Sequence, residues 1–224
     1  MHIHADLNQA VHITPSDYQW TPSPRPGVER MMLDRVGAEV ARATSLVRYA
    51  PGSHFSAHQH PGGEEILVLS GVFSDETGDY PRGWYLRNPP QSAHRPHTEP
   101  GALIFVKLHQ MRPDDTAVVR INALDRANWC QADGRATCAL FQNDEERVYT
   151  EQVPGQGRLR WDASGGLELL VLAGALSVRG QHYPEGSWLR LPAGSQPDIQ
   201  AVCDTMVFVK TGHLAALARR GAPC

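Results

Sequence analysis

The sequence has no apolar run near the roughly 18–20 residues that span a bilayer. It also has no block of five or more basic residues and no C-x-x-C pair. The first absence excludes a membrane-spanning helix. The second, with a net charge of −3, argues against binding nucleic acid by neutralising phosphates. The third removes the usual structural-zinc and dithiol signatures, and Cys130, Cys138, Cys203 and Cys224 read as ordinary small thiols. The opening segment MHIHADLNQAVHITPSDYQW lacks a basic start followed by an apolar block, so no signal peptide is expected and the reading is cytoplasmic. Long helical periodicity is scarce too. Short apolar stretches bounded by Gly and Pro take its place, as in an all-β sandwich or barrel. One helix is predicted, from His213 to Arg220, with basic residues in its last turn where the helix dipole favours them.

What the chain does contain is itself, twice. EEILVLSGVFS (64–74) aligns with LELLVLAGALS (167–177), YPRGWYLRNPPQS (80–92) with YPEGSWLRLPAGS (183–195), and IFVKL (104–108) with VFVKT (207–211). Every pair is 103 residues apart, and no gap is needed from Pro51, matching Pro154, to Lys107, matching Lys210. The shared positions are mostly Gly, Pro and strand apolars. This predicts two copies of one β module, 1–122 and 123–224, joined near Met111–Asp125. The runs Ile66–Leu69 and Leu103–Val106 read as strands buried on both faces. The segment from Glu39 to Tyr49 alternates loosely, as a half-buried strand does.

The first copy carries HQHPGGEE (58–65). Residues i and i+2 of a strand share a face, so His58 and His60 aim their imidazoles at one point. The Pro61-Gly62-Gly63 turn returns the chain, and Glu64 starts the next strand. His94 arrives from a distant strand. Three imidazoles and one carboxylate suit one divalent transition metal, zinc or iron(II), with manganese, nickel or copper also compatible; they do not suit calcium or magnesium. At the 103-residue offset the four positions become Trp161, Ala163, Leu167 and Pro197, so the second module has no ligands and one metal per chain is expected. Arg87 and Lys107 recur as Arg190 and Lys210 in the copy without ligands, which assigns them to the fold. Glu65 recurs as Glu168 and is assigned to the fold likewise. Glu64, which becomes Leu167, is assigned to the metal. His2, His4, His109, His182 and His213 have no ligand spacing and read as surface or loop residues.

The spacing Gly52-x5-His58-x-His60-x3-Glu64-x6-Gly71, followed by Gly83-x5-Pro89-x4-His94, resembles the two cupin motifs. The surrounding text, RATSLVRYAPGS, HPGGEEILVLSGVFSDETGDYPRGWYLRNPP and GALIFVKL, is similar to the ChrR family of cupins, named for an anti-sigma factor. The resemblance extends over nearly the whole chain and implies an all-β bicupin: two tandem double-stranded β-helix (jelly-roll) domains with a short C-terminal helix. It implies His58, His60, Glu64 and His94 as metal ligands. It also implies a sensory or regulatory role, linked to a small molecule or to redox state. ChrR-type anti-sigma factors grip their sigma factor through an N-terminal H-x-x-x-C-x-x-C zinc element. That element is not in this sequence, which speaks against a sigma-factor partner.

The same ligand set also resembles that of cupin dioxygenases acting on diketones, flavonols or thiols. The pocket candidates for that alternative are His97, Tyr85, Phe73 and Phe55, and no further catalytic residue is identified. A third reading is a closed structural zinc site. A small-molecule ligand, in either module's cavity, is admitted as a partner. Nucleic acid and membrane are not, and the chain is expected as a monomer or homodimer.

Overall fold

The repeat seen in the letters is repeated in the strand register. In the computed structural model, Glu64 pairs with Leu108 on one side and Asn88 on the other; 103 residues on, Leu167 pairs with Thr211 and Leu191. Glu65 lies opposite Lys107 and Arg87, and Glu168 lies opposite Lys210 and Arg190. The structure describes residues 1–38, 40–132, 134–159 and 161–221. The thiol reading of Cys224 and the Glu39 end of the predicted strand lie outside the described residues. Cys130 and Cys203 are exposed free thiols and Cys138 is buried.

Contacts group the chain into two compact units. The first comprises Met1–Ala5 and Gln19–Leu124; the second comprises Asp6–Tyr18 and, among the described residues, 125–221. The second unit therefore takes a strand from near the N-terminus, Val11–Ile13, which pairs antiparallel with Trp188–Leu191. Nothing in the repeat signals this, because the ungapped match begins only at Pro51.

In the first unit the main sheet runs Val28–Gly37, Ala41–Tyr49, Ala102–Leu108, Glu64–Asp75, Trp84–Asn88 and Val119–Asn122 in spatial order, all antiparallel. A two-stranded sheet, His58–His60 against Ser92–His94, lies apart from it. Alternation sends Ile66, Val68, Leu86, Ile104 and Val106 into one core with Val28 and Val47. Leu67 and Phe105, on the opposite face, are just as buried.

The segment from Ala41 to Tyr49 departs from expectation. It is buried at every position from Ala41 to Val47 instead of on alternate residues. It is a central strand with neighbours on both sides, and its polar side chains are matched there: Arg42 Nη1 lies 3.9 Å from Asp34, and Thr44 accepts from Lys107 at 3.0 Å. Gly71 shows why the repeat keeps its glycines. It has a φ of +70°, and a Cβ there would sit 1.9 Å from the Gly101 carbonyl oxygen; its counterpart Gly174 has a φ of +78°.

The second unit has a sheet of the same kind, centred on Arg147–Val153, Thr205–Thr211 and Leu167–Ala173. The helix spans His213–Arg220, as the sequence predicts. No helix among the described residues is long and apolar enough to cross a membrane.

Candidate metal centre

His58 and His60 leave the same face of a three-residue strand, and His94 stands directly across the ladder from His58. The three imidazoles form a nearly regular triangle, with ring centroids 4.8, 4.9 and 5.1 Å apart. They bring one nitrogen each within 4.8 Å of the others, the one such group of three potential ligands among the described residues. His60 Nε2 and His94 Nε2 are 3.0 Å apart. Glu64 Oε2 lies 3.4 Å from His94 Nε2 and 3.6 Å from His60 Nε2. Two ligands at adjacent positions on one ion, with bonds of about 2.1 Å, stand about 3.0–3.4 Å apart. The three imidazoles could therefore hold a metal ion, with the Glu64 carboxylate beside two of them.

Three of the four candidate ligands, His58, His94 and Glu64, are held from behind. His58 Nδ1 donates to the Ser56 carbonyl at 3.0 Å, which leaves Nε2 with the ring's lone pair. His94 Nδ1 faces Asp75 Oδ2 at 3.3 Å, and Asn88 Nδ2 donates to Glu64 Oε2 at 3.0 Å. These supports are themselves linked. Asp75 accepts from Thr77, whose hydroxyl meets Tyr80; Arg120 donates to Tyr80 at 3.2 Å and to Asn88 at 2.7 Å. One hydrogen-bonded chain thus connects the carboxylate behind His94 to the amide behind Glu64.

The electrostatics follow this arrangement. Burial is the largest influence on both imidazoles and disfavours their charged forms. It prevails at His60, whose pKa is lowered despite Glu64. At His94 it is outweighed by Asp75 and Glu64, and the pKa is raised. Burial works on Asp75 in the opposite sense, but hydrogen bonds from His94 and Thr77 outweigh it and bring the carboxyl down to about 2. Outer carboxylates of this kind orient metal-bound imidazoles and raise their basicity. Asp75→Asn is expected to weaken metal binding about 10–100-fold with the ligands intact. Competition titration against a chelator of known affinity checks this, and an unchanged affinity would make Asp75 incidental.

His58, His60 and Glu64 line a cavity of about 280 Å³. Of the four pocket candidates, Phe55 lines it, packed edge-on to Tyr49 at 5.2 Å. Phe73 lies in the module core with its ring 6.0 Å from that of His94. The structure does not bring His97 to the imidazole group; it stacks on His54 at 5.6 Å, while its neighbour Pro96 lines the cavity. Nor does it bring Tyr85 there. Tyr85 alternates with Leu86, and Leu86 is the one that enters the core; Tyr85 is buried on the sheet's other face.

His109 corrects the reading in the other direction. It is no ordinary loop residue, because it lines the same cavity and its ring packs over Gly62. Its backbone is left-handed, with a φ of +56°, where the second copy has Gly212 at +87°. In that copy Ala163 and Leu167 are core residues. Trp161 packs against the same core and donates to the buried Glu151 at 2.8 Å.

An antiparallel jelly-roll sheet with a histidine cluster opening on its cavity defines the chain as a protein of the cupin fold. More narrowly, residues 8–112 match the model of the ChrR cupin-like domain. Among solved structures the chain is similar to a candidate dioxygenase from Nostoc punctiforme, at 14% identity over 94% of this chain and 85% of that one, with a TM-score of 0.77. It is also similar to the bacterial pirin YhhW in complex with nickel(II) from Escherichia coli, at 11% identity over 90% and 98%, with a TM-score of 0.66. A third is the cupin 2 conserved barrel domain protein from Leptotrichia buccalis, at 14% identity over 86% and 92%, with a TM-score of 0.59. At these identities the likeness concerns the fold alone. No curated protein matches the chain.

Proposed function

We propose that this chain is a bicupin that holds one divalent transition metal through His58, His60, Glu64 and His94 and presents it to a small-molecule cavity. In this reading the second module is a degenerate, ligand-free copy. The role is sensory or regulatory, as the ChrR family suggests, in a cytoplasmic monomer or homodimer. The carrying observation is that His58, His60 and Glu64 all line the cavity, so the ligand set faces an opening. A closed structural zinc site would instead be saturated by protein ligands. When bound, a divalent metal supplies Lewis acidity to whatever ligand enters. The chain's own residues do the rest. Asp75 and Ser56 fix the ring tautomers, Asn88 orients Glu64, and Phe55 and Tyr49 wall the cavity.

The second reading is a cupin dioxygenase of a small diketone, flavonol or thiol. The same opening favours it. One measurement addresses both. Protein purified without added metal or chelating resin is expected to contain one equivalent of transition metal per chain. Iron, with oxygen uptake on a diketone or thiol panel, selects the enzyme; metal without turnover selects the sensor. Two equivalents would sink the ligand-free second module.

A further inference from the structure

The cavity's charge is uneven. Three arginines, Arg25, Arg30 and Arg35, are among its lining residues against one carboxylate residue, Glu64, which the metal reading already uses. Arg35 is occupied by the Ala38 carbonyl. Arg30 is different. It lies two residues from Val28 on the same face of the strand, and its cross-strand partner is Val47; both valines belong to the module core. Arg30 is therefore a half-buried inward cation, and no described residue accepts a hydrogen bond from its guanidinium or pairs with it.

Tyr49 shows that these groups share one space. Burial first, and then Glu64, hold its hydroxyl well above the usual phenol range, while Arg30 and Arg25 oppose them. The remaining walls include Val28, Val47, Val106 and Leu108. The cavity's volume lies just below the roughly 300–1,000 Å³ of ordinary ligand sites. The occupant it suits is small, has an apolar body and carries a negative charge. The planar fork of a lone guanidinium matches a carboxylate through two parallel hydrogen bonds.

We propose that this cavity binds a small organic carboxylate, with Arg30 as the residue that takes its charge and Arg25 as a second cation lining the same cavity. The inference deepens the metal-site reading by naming the ligand class, but its test does not depend on metal. Calorimetric titration with succinate, pyruvate and benzoate is run on chelator-treated and on metal-loaded protein, with succinamide and inorganic phosphate as the contrasting probes. At least one of the three carboxylates is expected to bind both preparations. Arg30→Gln is expected to weaken that binding about tenfold or more, the loss of a charge-assisted hydrogen bond. Arg30→Lys keeps part of the affinity. Arg48→Gln, on the opposite face of the neighbouring strand, leaves it unchanged.

Because Arg30 makes no hydrogen bond or ion pair with a described residue, its variants are expected to melt with the parent. The inference is overturned if no carboxylate binds, if Arg30→Gln binds as the parent does, or if succinamide or phosphate binds as tightly as the carboxylates. Stoichiometric metal without carboxylate binding would remove this inference alone. Arg30-dependent binding in a protein that takes no metal would remove the metal reading alone.

Discussion

His60→Ala is expected to lower metal affinity about a hundred- to a thousandfold and to leave the fold standing. Structural four-ligand sites bind with about 10–16 kcal/mol, so one ligand in four carries about 2.5–4 kcal/mol, which is that range of affinity. His60 is chosen because its Nε2 faces both His94, at 3.0 Å, and Glu64, at 3.6 Å. Removing it opens the side of the set where the donors are closest. The apolar core around Ile66, Val68 and Ile104 does not involve the imidazole, so the far-ultraviolet spectrum should not change. Metal analysis and chelator competition read the effect directly. Retention of one tightly held equivalent would remove His60 from the ligand set. Trp161→His, at the position equivalent to His58, should add no metal, because Ala163, Leu167 and Pro197 supply no further donors there.

The four proposed ligands were legible because their spacing is local. H-x-H, a turn and a strand-opening Glu are set within seven residues, and only His94 needs the fold to bring it in. The residues behind them were not legible by that route. Asp75 and Asn88 are ordinary strand residues in the letters, and they face their ligands only through the register of strands distant in sequence.

The repeat held a signal for them all the same. At the 103-residue offset Asp75 becomes Val178, Asn88 becomes Leu191 and His109 becomes Gly212. Each polar group is lost from the copy that lost its ligands. Along the strands, and two residues past Lys107, the same offset that separates Glu64 from Glu65 marks all three. His109 also carries a physical mark. A non-glycine side chain in the left-handed region costs of order 1 kcal/mol, and such strain is retained where the side chain has a use. Tyr85 is hard to read from the letters for the opposite reason. An aromatic residue between apolar neighbours gives no indication of which face it takes, and a strand buried on both faces has two interiors to offer.

Glu65→Gln is expected to cost about 3 kcal/mol of stability and no metal, whereas Glu64→Gln should do the reverse. The two glutamates are adjacent, so the pleat sends them to opposite faces. Glu64 meets the imidazoles. Glu65 is 3% exposed, sits opposite Arg87 and Lys107 in the ladder, and lies 3.6 Å from the Arg87 Nη1. Arg87 and Lys107 are themselves buried, with Asp115 on the other arm of Arg87 at 2.5 Å and Thr44 on Lys107 at 3.0 Å. Neutralising Glu65 leaves two buried cations facing one buried carboxylate. Breaking a buried pair from one side costs about 3–5 kcal/mol, because the remaining charge stays desolvated. Glutamine keeps the shape and some hydrogen bonding, which puts the loss at the lower end, roughly ten degrees of melting temperature. The second module argues the same point without a metal. Glu168 keeps the register against Lys210 and Arg190, accepts from Trp188 at 2.8 Å and meets His213 Nε2 at 2.9 Å. A carboxylate retained where no ligand remains serves the sheet. If Glu65→Gln instead released the metal at unchanged stability, the assignment of the two glutamates would have to be exchanged.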